Sequence, residues 1–376
     1  MELVITNDIP LQIKIGKELF YEKVNIYTKQ VVSGIKEIID RCYENFLHKE
    51  LSKEDLFYIS IYDYWTVGCT VAEGLYYRFI DKSYEQKKEF ITLRDRLIYT
   101  NKLNNKEDAH TLTLKYEAYE ILKPLYKRDV ERIQDSSDFQ KFVEFVSKHK
   151  KFVAKPEGAS MSIGVHLVDS SEYSSLEVLF NQLLQEGVEC QKNCNWCDTP
   201  TVVIEEIILQ SDDMNQLHPA SINNIRCITI RDGDNVKIFY PCVKIGMNNE
   251  FICSGASGSL IAAVDPDTGK VVTNGKTEVL TEFDVHPDTN IKLEGFQIPD
   301  WDDMLSVVKQ AAMRFPTINF IGWDVVHSTN GWCIMEGNYA SEFVCCQLPH
   351  QLGFRNKFEQ LTGIKINHEK FWWQQS

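Results

Sequence analysis

From about Gly34 to Leu122 apolar residues recur at helical spacing. Ile35, Ile38, Ile39, Cys42, Phe46 and Leu47 fall on one helix face. Leu56, Phe57, Ile59, Trp65 and Val67, followed by Leu75, Tyr76 and Phe79, predict further helices, with Ser52 capping one. The charged stretch EKKEFITLRDRLIYTNKLNNKED ends in a polar turn, which sets a first boundary near Asn104 to Asp108. The pattern then changes. Ser136 or Ser137 caps a helix with the apolar face Phe139, Phe142, Val143 and Val146. KFVAKP reads as a strand, EGASMS as a loop and IGVHLVD as the next strand. A helix carrying Leu176, Leu179, Leu183 and Leu184 leads through a Cys-rich loop to the strand TVVIEEIIL. The remainder predicts antiparallel strands in NIRCITIRDG and DNVKIFYPCVKIG, a helix over Met304 to Phe315, and the hairpin NFIGWDVVHSTNGWCIMEGN. The class is mixed α/β with antiparallel sheets.

Composition narrows the partners. The 376 residues are 43% hydrophobic and 25% charged, enough for a large core and two or three lobes. A formal net charge of −14 repels a phosphate backbone, so no nucleic acid is expected, although a nucleotide needs only a few local cations. MELVITNDIPLQIKIGK has no apolar signal region, and Phe251 to Val264 is too short for a membrane span. Eleven cysteines scattered through strands and loops suit reduced thiols and a cytoplasmic location, with no membrane insertion. Nothing in the sequence sets an oligomeric state.

The last hairpin carries the sharpest chemistry. A three-residue loop Thr329-Asn330-Gly331 pairs Asp324 with Glu336, and alternation puts Asn338 on their face. Cross-strand Cβ atoms lie roughly 5 Å apart, so two carboxylates and an amide oxygen offer a site to a hard cation, Mg2+ above all. A solvated hairpin face is the bland alternative, but Phe320, Ile321, Trp323, Val325, Trp332 and Met335 make these strands strongly apolar. Lys155 at a strand end, followed by Gly158, Ser160, Ser162 and Gly164, suits a phosphate cradle or an ordinary connection. Glu205 and Glu206 within the apolar run Val203 to Ile208 mark either an edge strand with one wet face or a hinge that reads a base. Asn223, Arg226 and Lys244 add amide and cationic groups to the half that bears the hairpin.

In this order, the lysine and glycine loop, the EE strand, the N-x-x-R strand and the D…E-x-N hairpin resemble the ATP-grasp superfamily. More narrowly, the chain is similar to the sugar-transfer-associated ATP-grasp proteins encoded with bacterial exopolysaccharide genes. That likeness includes DLFYISIYDYWTVGCTVAEGLYYRF, KKEFIT and LKYEAYEILKPLYKRDV, and spans roughly residues 50 to 350. It implies an α+β ATP-grasp fold of two lobes clasping ATP. The helical N-terminal region covers residues 1–108, lobe 1 residues 109–210 and lobe 2 residues 211–376. By the same resemblance Lys115 and Lys155 are the phosphate lysines, and the loop Gly158 to Gly164 closes over the β- and γ-phosphates. Glu205, Glu206 and Ile208 form the adenine hinge, with Asp213 on the ribose. Arg226 holds the γ-phosphate or an acyl phosphate beside Asn223, and Asp324, Glu336 and Asn338 ligate two Mg2+ ions. Asn224 stands where Thr is expected, Lys244 where Arg is common, and Cys253-Ser254 where an Asp-Asn pair is usual.

The implied activity is an ATP-dependent carboxylate–amine ligase working through an acyl phosphate. Its substrates would be small carboxylates and amines, sugar- or amino-acid-related, in polysaccharide biosynthesis. A kinase for a hydroxyl and a non-catalytic nucleotide-binding protein are the alternatives. Cys190, Cys194 and Cys197 have iron–sulfur or zinc spacing but fall in a variable connection, where free thiols are the default. His166, His218, His327 and His350 share no metal spacing. Tyr62, Tyr64, Trp65, Tyr76 and Tyr77 read as core packing before sugar stacking.

Overall fold

A computed structural model describes residues 3–157, 163–192, 197–248 and 258–367. Gly158, Ser160, Ser162, Cys194, Cys253 and Ser254 lie outside the described residues.

Two antiparallel sheets organise the chain. The smaller contains β1 (Val130–Ile133), β2 (Lys151–Pro156), β3 (His166–Asp169) and β4 (Val202–Glu206), in the order β1-β4-β2-β3. The larger contains β5 (Asn224–Asp232), β6 (Asn235–Ile245), β7 (Leu260–Ala263), β8 (Gly275–Lys276), β9 (Glu282–Phe283), β10 (Phe320–Ser328) and β11 (Gly331–Asn338). Its order is β11-β10-β5-β6-β7-β8-β9. Helices Phe139–Lys148 and Leu176–Lys192 cover one face of the small sheet through Phe142, Phe145, Phe180 and Leu183.

The large sheet is covered on both faces. One face presents Ile225, Cys227, Val243, Leu260, Trp323 and Val325 to the helix Trp301–Met313 and to the helices Lys106–Thr113 and Lys115–Tyr126. The chain around residues 106–126, grouped with lobe 1 from the sequence, therefore packs its apolar side chains into the core of the large sheet. The other face presents Cys242 and Ile261 to the N-terminal helices, and Leu348 joins the same cluster. Tyr62, Trp65, Tyr76 and Tyr77 are all buried there, as core packing requires. Ser52 caps the helix Lys53–Val67 in a reciprocal capping box with Asp55.

Some local expectations shift. Asp135, not Ser136 or Ser137, accepts the capping bond ahead of helix Phe139–Lys148, because its carboxylate reaches Ser137 N at 2.8 Å. Strand β1 and the helices Val344–His350 and Arg355–Thr362 have no counterpart in the sequence reading. In the hairpin, Ser328 pairs with Gly331, so only Thr329 and Asn330 form the loop, with Gly331 at φ +81°. A register shift between Asp324 and Val325 then restores the Asp324–Glu336 pair. No helix among the described residues is long and apolar enough to cross a membrane.

Candidate active site

The two sheets and the 106–126 segment meet at a cleft of about 330 Å³. Lys115, Lys155, Glu205, Met335, Glu336 and Asn338 contribute to its walls. Each arrives from a different local cause. Lys155 is the penultimate residue of β2, and Glu205 lies on β4 diagonally across from it, since Lys155 pairs with Val203 and Glu205 with Val153. Strand β4 runs between β1 and β2, so the reading of an edge strand with a wet face does not hold. Lys115 opens the helix Lys115–Tyr126, whose N-cap Leu114 provides no side-chain bond. The Glu157 carboxylate supplies it from outside the helix, accepting from Lys115 N and, at 3.4 Å, from Tyr116 N. Gly164, at the far end of the glycine loop, has φ +73°, and a Cβ there would meet Pro156 at 3.1 Å.

Glu205 is buried between two cations. Lys155 Nζ stands 2.8 Å from Oε1, and Arg128 donates to Oε2 at 2.8 Å. Burial alone would raise the Glu205 carboxyl, but Arg128 and Lys155 hold it down at about 2. Arg128 also donates to Ile334 O at 2.8 Å and stacks on Tyr126, so one side chain joins β4 to β11 across the cleft. Sequence reading missed Arg128, because its partners Glu205 and Ile334 lie far along the chain.

Behind the cleft lies a polar row on the large sheet. Register places Arg226 opposite both Cys242 and Asp324, Asp324 opposite Glu336, and Asn224 opposite Lys244. Directly paired residues share a face, so these side chains project together toward the N-terminal helices. Arg226 donates from Nε and Nη2 to the two Asp324 oxygens at 2.8 and 2.9 Å, and Lys244 Nζ approaches Oδ1 at 3.2 Å. Burial would raise the Asp324 carboxyl, but the two cations keep it below its ordinary value. Cys345, unread in the sequence, adjoins this row: neighbouring Cys242 holds its thiol below the ordinary range, aided by Lys244 and Arg226.

The expected residues divide accordingly. Lys115, Lys155, Glu205, Glu336 and Asn338 share the cleft, while Arg226, Lys244 and Asp324 form the cluster behind it. Asp324, expected as a metal ligand, has both oxygens bonded by Arg226 and Oδ1 also approached by Lys244. Asn223 is likewise committed. It is fully buried, donating to Met214 O and His218 O and accepting from Gly246 N, which makes it a staple for the 214–223 loop. Glu206 turns to Asp129, accepting from its backbone N at 3.0 Å, and Glu206, Ile208 and exposed Asp213 are not among the cleft-lining residues. Glu336 is exposed, and Asn338 Nδ2 is buried with no partner among the described residues. The exposed Glu336 carboxylate, with the Asn338 amide oxygen as the donor on the same strand face, fits a hard cation bound from the cleft side, whereas the unpartnered Nδ2 is a hydrogen-bond donor and no ligand. His218 and His327 are buried against Ser221 and Ser211, in structural roles. None of the nine described cysteines forms a disulfide.

The profile of the family described as sugar-transfer associated ATP-grasp matches residues 78–363. The chain belongs to this family. Its two antiparallel sheets flanking one cleft are the ATP-grasp lobes, with helices before and around them. Among solved structures, D-alanyl-alanine synthetase A from Vibrio cholerae matches at 10% identity and TM-score 0.42, covering 71% of this chain and 65% of that one. N5-carboxyaminoimidazole synthase from Aspergillus clavatus matches at 9% identity and TM-score 0.43, covering 74% and 60%. Phosphoribosylamine–glycine ligase from Thermotoga maritima matches at 14% identity and TM-score 0.43, covering 70% and 57%. This ATP-grasp chain thus spans about three fifths of the length of these solved chains. No curated protein sequence matches it.

Proposed function

We propose that this ATP-grasp chain is an ATP- and Mg2+-dependent ligase that joins a carboxylate to an amine through an acyl phosphate, on sugar- or amino-acid-related substrates of polysaccharide biosynthesis. One observation carries the reading: the cleft shared by Lys115, Lys155, Glu336 and Asn338 backs onto a buried cation–carboxylate cluster in a chain of this family. Lys115 and Lys155 supply positive charge for nucleotide phosphates, and the Arg128–Glu205–Lys155 chain holds the second lysine in place. Glu336 and Asn338 are the side chains that would hold Mg2+, which when bound supplies charge neutralisation between phosphates.

In the first half-reaction a substrate carboxylate oxygen bonds to the γ-phosphorus, the bond to the ADP oxygen breaks, and ADP leaves. In the second, the amine nitrogen bonds to the acyl carbon, phosphate departs with the C–O electron pair, and the nitrogen loses its proton. Arg226 has Nε and Nη2 fixed by Asp324, while Nη1 is turned toward Gly322. That nitrogen and Lys244 are the preorganised donors for charge building up on the transferred phosphoryl group.

Phosphorus NMR with Mg-ATP and a bacterial extract of sugars and amino acids tests the reading. ADP with free phosphate, dependent on the extract, is expected. A new phosphoester signal would identify a kinase instead. Turnover unchanged in both Asp324→Asn and Glu336→Gln would sink the assignment.

A further inference from the structure

A second cavity, of about 320 Å³, opens between the N-terminal helices and the polar face of the large sheet. Thr70, Glu73, Tyr76 and Arg96 come from the helical side, and Glu278 and Glu342 from the side of the sheet. The cavity adjoins the cluster behind the cleft. Glu342 follows Ser341, which is buried against Gly322, and a Cβ on Gly322 would meet both Ser341 Oγ and Arg226 Nη1. Glu278 lies near enough to Lys244 for the ammonium to favour its charged form.

Resting on the ligase reading above, we propose that this cavity is the acceptor subsite and takes a primary amine carrying a hydrogen-bond acceptor, the chemistry that α-amino acids and amino sugars share. Three carboxylates, on Glu73, Glu278 and Glu342, line the cavity with one cation, Arg96, while Arg41 bonds the Tyr76 hydroxyl and acts on Glu278 from outside the lining. Only Glu342 pairs with Arg96, at 2.9 Å from its Nη1. Glu278 accepts from the Tyr76 hydroxyl at 3.3 Å and is half-buried. Glu73 is buried and bonded to the N-cap of its own helix. Among the lining side chains carboxylates outnumber cations, and Glu73 and Glu278 are withdrawn from water, which favours a ligand that brings an ammonium. Burial pushes the Glu73 carboxyl up to about 7 and raises Glu278, outweighing the cations near them, Arg96 for Glu73 and Arg41 and Lys244 for Glu278.

One further atom describes the rest of the ligand. Arg96 Nε is buried with no partner among the described residues, a donor without an acceptor. An amine that also bears a carboxylate or hydroxyl oxygen satisfies Arg96 while its nitrogen meets Glu278. The cavity's position then delivers that nitrogen to the side of the sheet where Arg226 and Lys244 lie. The N-terminal helices thereby acquire a task beyond covering the sheet: they form the wall that selects the acceptor.

Calorimetric titration of the full chain separates the possible sources. The probes are an equimolar mixture of the twenty amino acids and, separately, glucosamine and galactosamine, with the N-acetylated amino sugars and N-acetylated amino acids as controls. Binding by one amine class and not by its acetylated control is expected. Glu278→Gln and Arg96→Met should each weaken it at least tenfold while MgADP affinity stays unchanged. Failure of both amine classes to bind a protein that still binds MgADP would overturn the proposal, as would binding indifferent to both substitutions. Failure of MgADP itself to bind would count against the ligase reading, and the amine titration would still judge the cavity.

Discussion

Arg226 and Asp324 face each other across β5 and β10, joined by two parallel N–H···O bonds although 98 residues separate them. Lys244 completes the cluster from β6. Both members of the pair are well buried, so the geometry is stable only while each charge keeps its partner.

Removing one partner is therefore expected to be costly. Arg226→Met or Asp324→Asn should destabilise the fold by about 3–5 kcal/mol, since a buried charge is left uncompensated. Replacing Arg226, Asp324 and Lys244 together with apolar side chains of similar volume, so that no buried charge is left unpaired, should restore most of that stability and none of the turnover. Guanidinium unfolding of the two single variants and the triple variant, alongside ATP turnover, measures the difference. A triple variant no more stable than the singles would contradict the pairing argument.

Arg128 should control the second buried carboxylate. Glu205 has its folded value held near 2, below an ordinary 4.5, so its stabilisation is present above pH 4.5 and is lost as pH falls toward 2. Arg128→Met removes the larger of the two cationic influences, so the acid-unfolding midpoint should move to higher pH and MgADP should bind more weakly. Melting temperatures from pH 3 to 7 report the first effect and calorimetry the second.

Glu336 offers the contrasting case. Exposed on β11, it should tolerate Glu336→Gln with a stability change within about 0.5 kcal/mol. Losing a charged ligand worth more than about 1.4 kcal/mol should raise the Mg2+ concentration for half-maximal turnover at least about tenfold. A magnesium titration of turnover at saturating ATP checks this, and an unchanged requirement would remove Glu336 from the ligand set.

Glu73 reverses the usual sign. Its folded value of about 7 lies above the ordinary 4.5, so the folded state retains a proton through that interval. The associated stability is complete below pH 4.5 and is lost as pH rises through 7, a change on the order of 3 kcal/mol. Glu73→Gln should flatten the stability profile between pH 5 and 7.5, as measured by urea unfolding at four pH values.

Gly322 is the glycine beside Arg226 where added volume should be poorly tolerated. A Cβ there would fall 2.0 Å from Ser341 Oγ and 3.3 Å from Arg226 Nη1. Gly322→Ala should displace one of these groups and lower turnover far more than it lowers MgADP affinity. Equal losses in both would indicate a general loss of folding.

Much of this protein was legible in its local chemistry. Most strands and the Asp324–Glu336 pair follow from side-chain periodicity and short-range spacing, which depend only on neighbouring residues, whereas the roles expected of Lys115 and Lys155 and the meaning of the motif order came from the family resemblance. Even there the hairpin reached the expected pairing by another route, a two-residue loop compensated by a bulge. Arg128, Glu278, Ser341 and Cys345 carried no such signal, because each acquires its role from elements far away in the chain. Arg128 meets Glu205 across 77 residues, and Tyr76 meets Glu278 across 202. Asn223 shows the converse, a motif position whose amide is consumed by backbone groups that only the folded loop brings near. Short-range patterning therefore determined the elements and the kind of chemistry. Tertiary packing decided which charges are buried together, and so which groups remain available to a ligand.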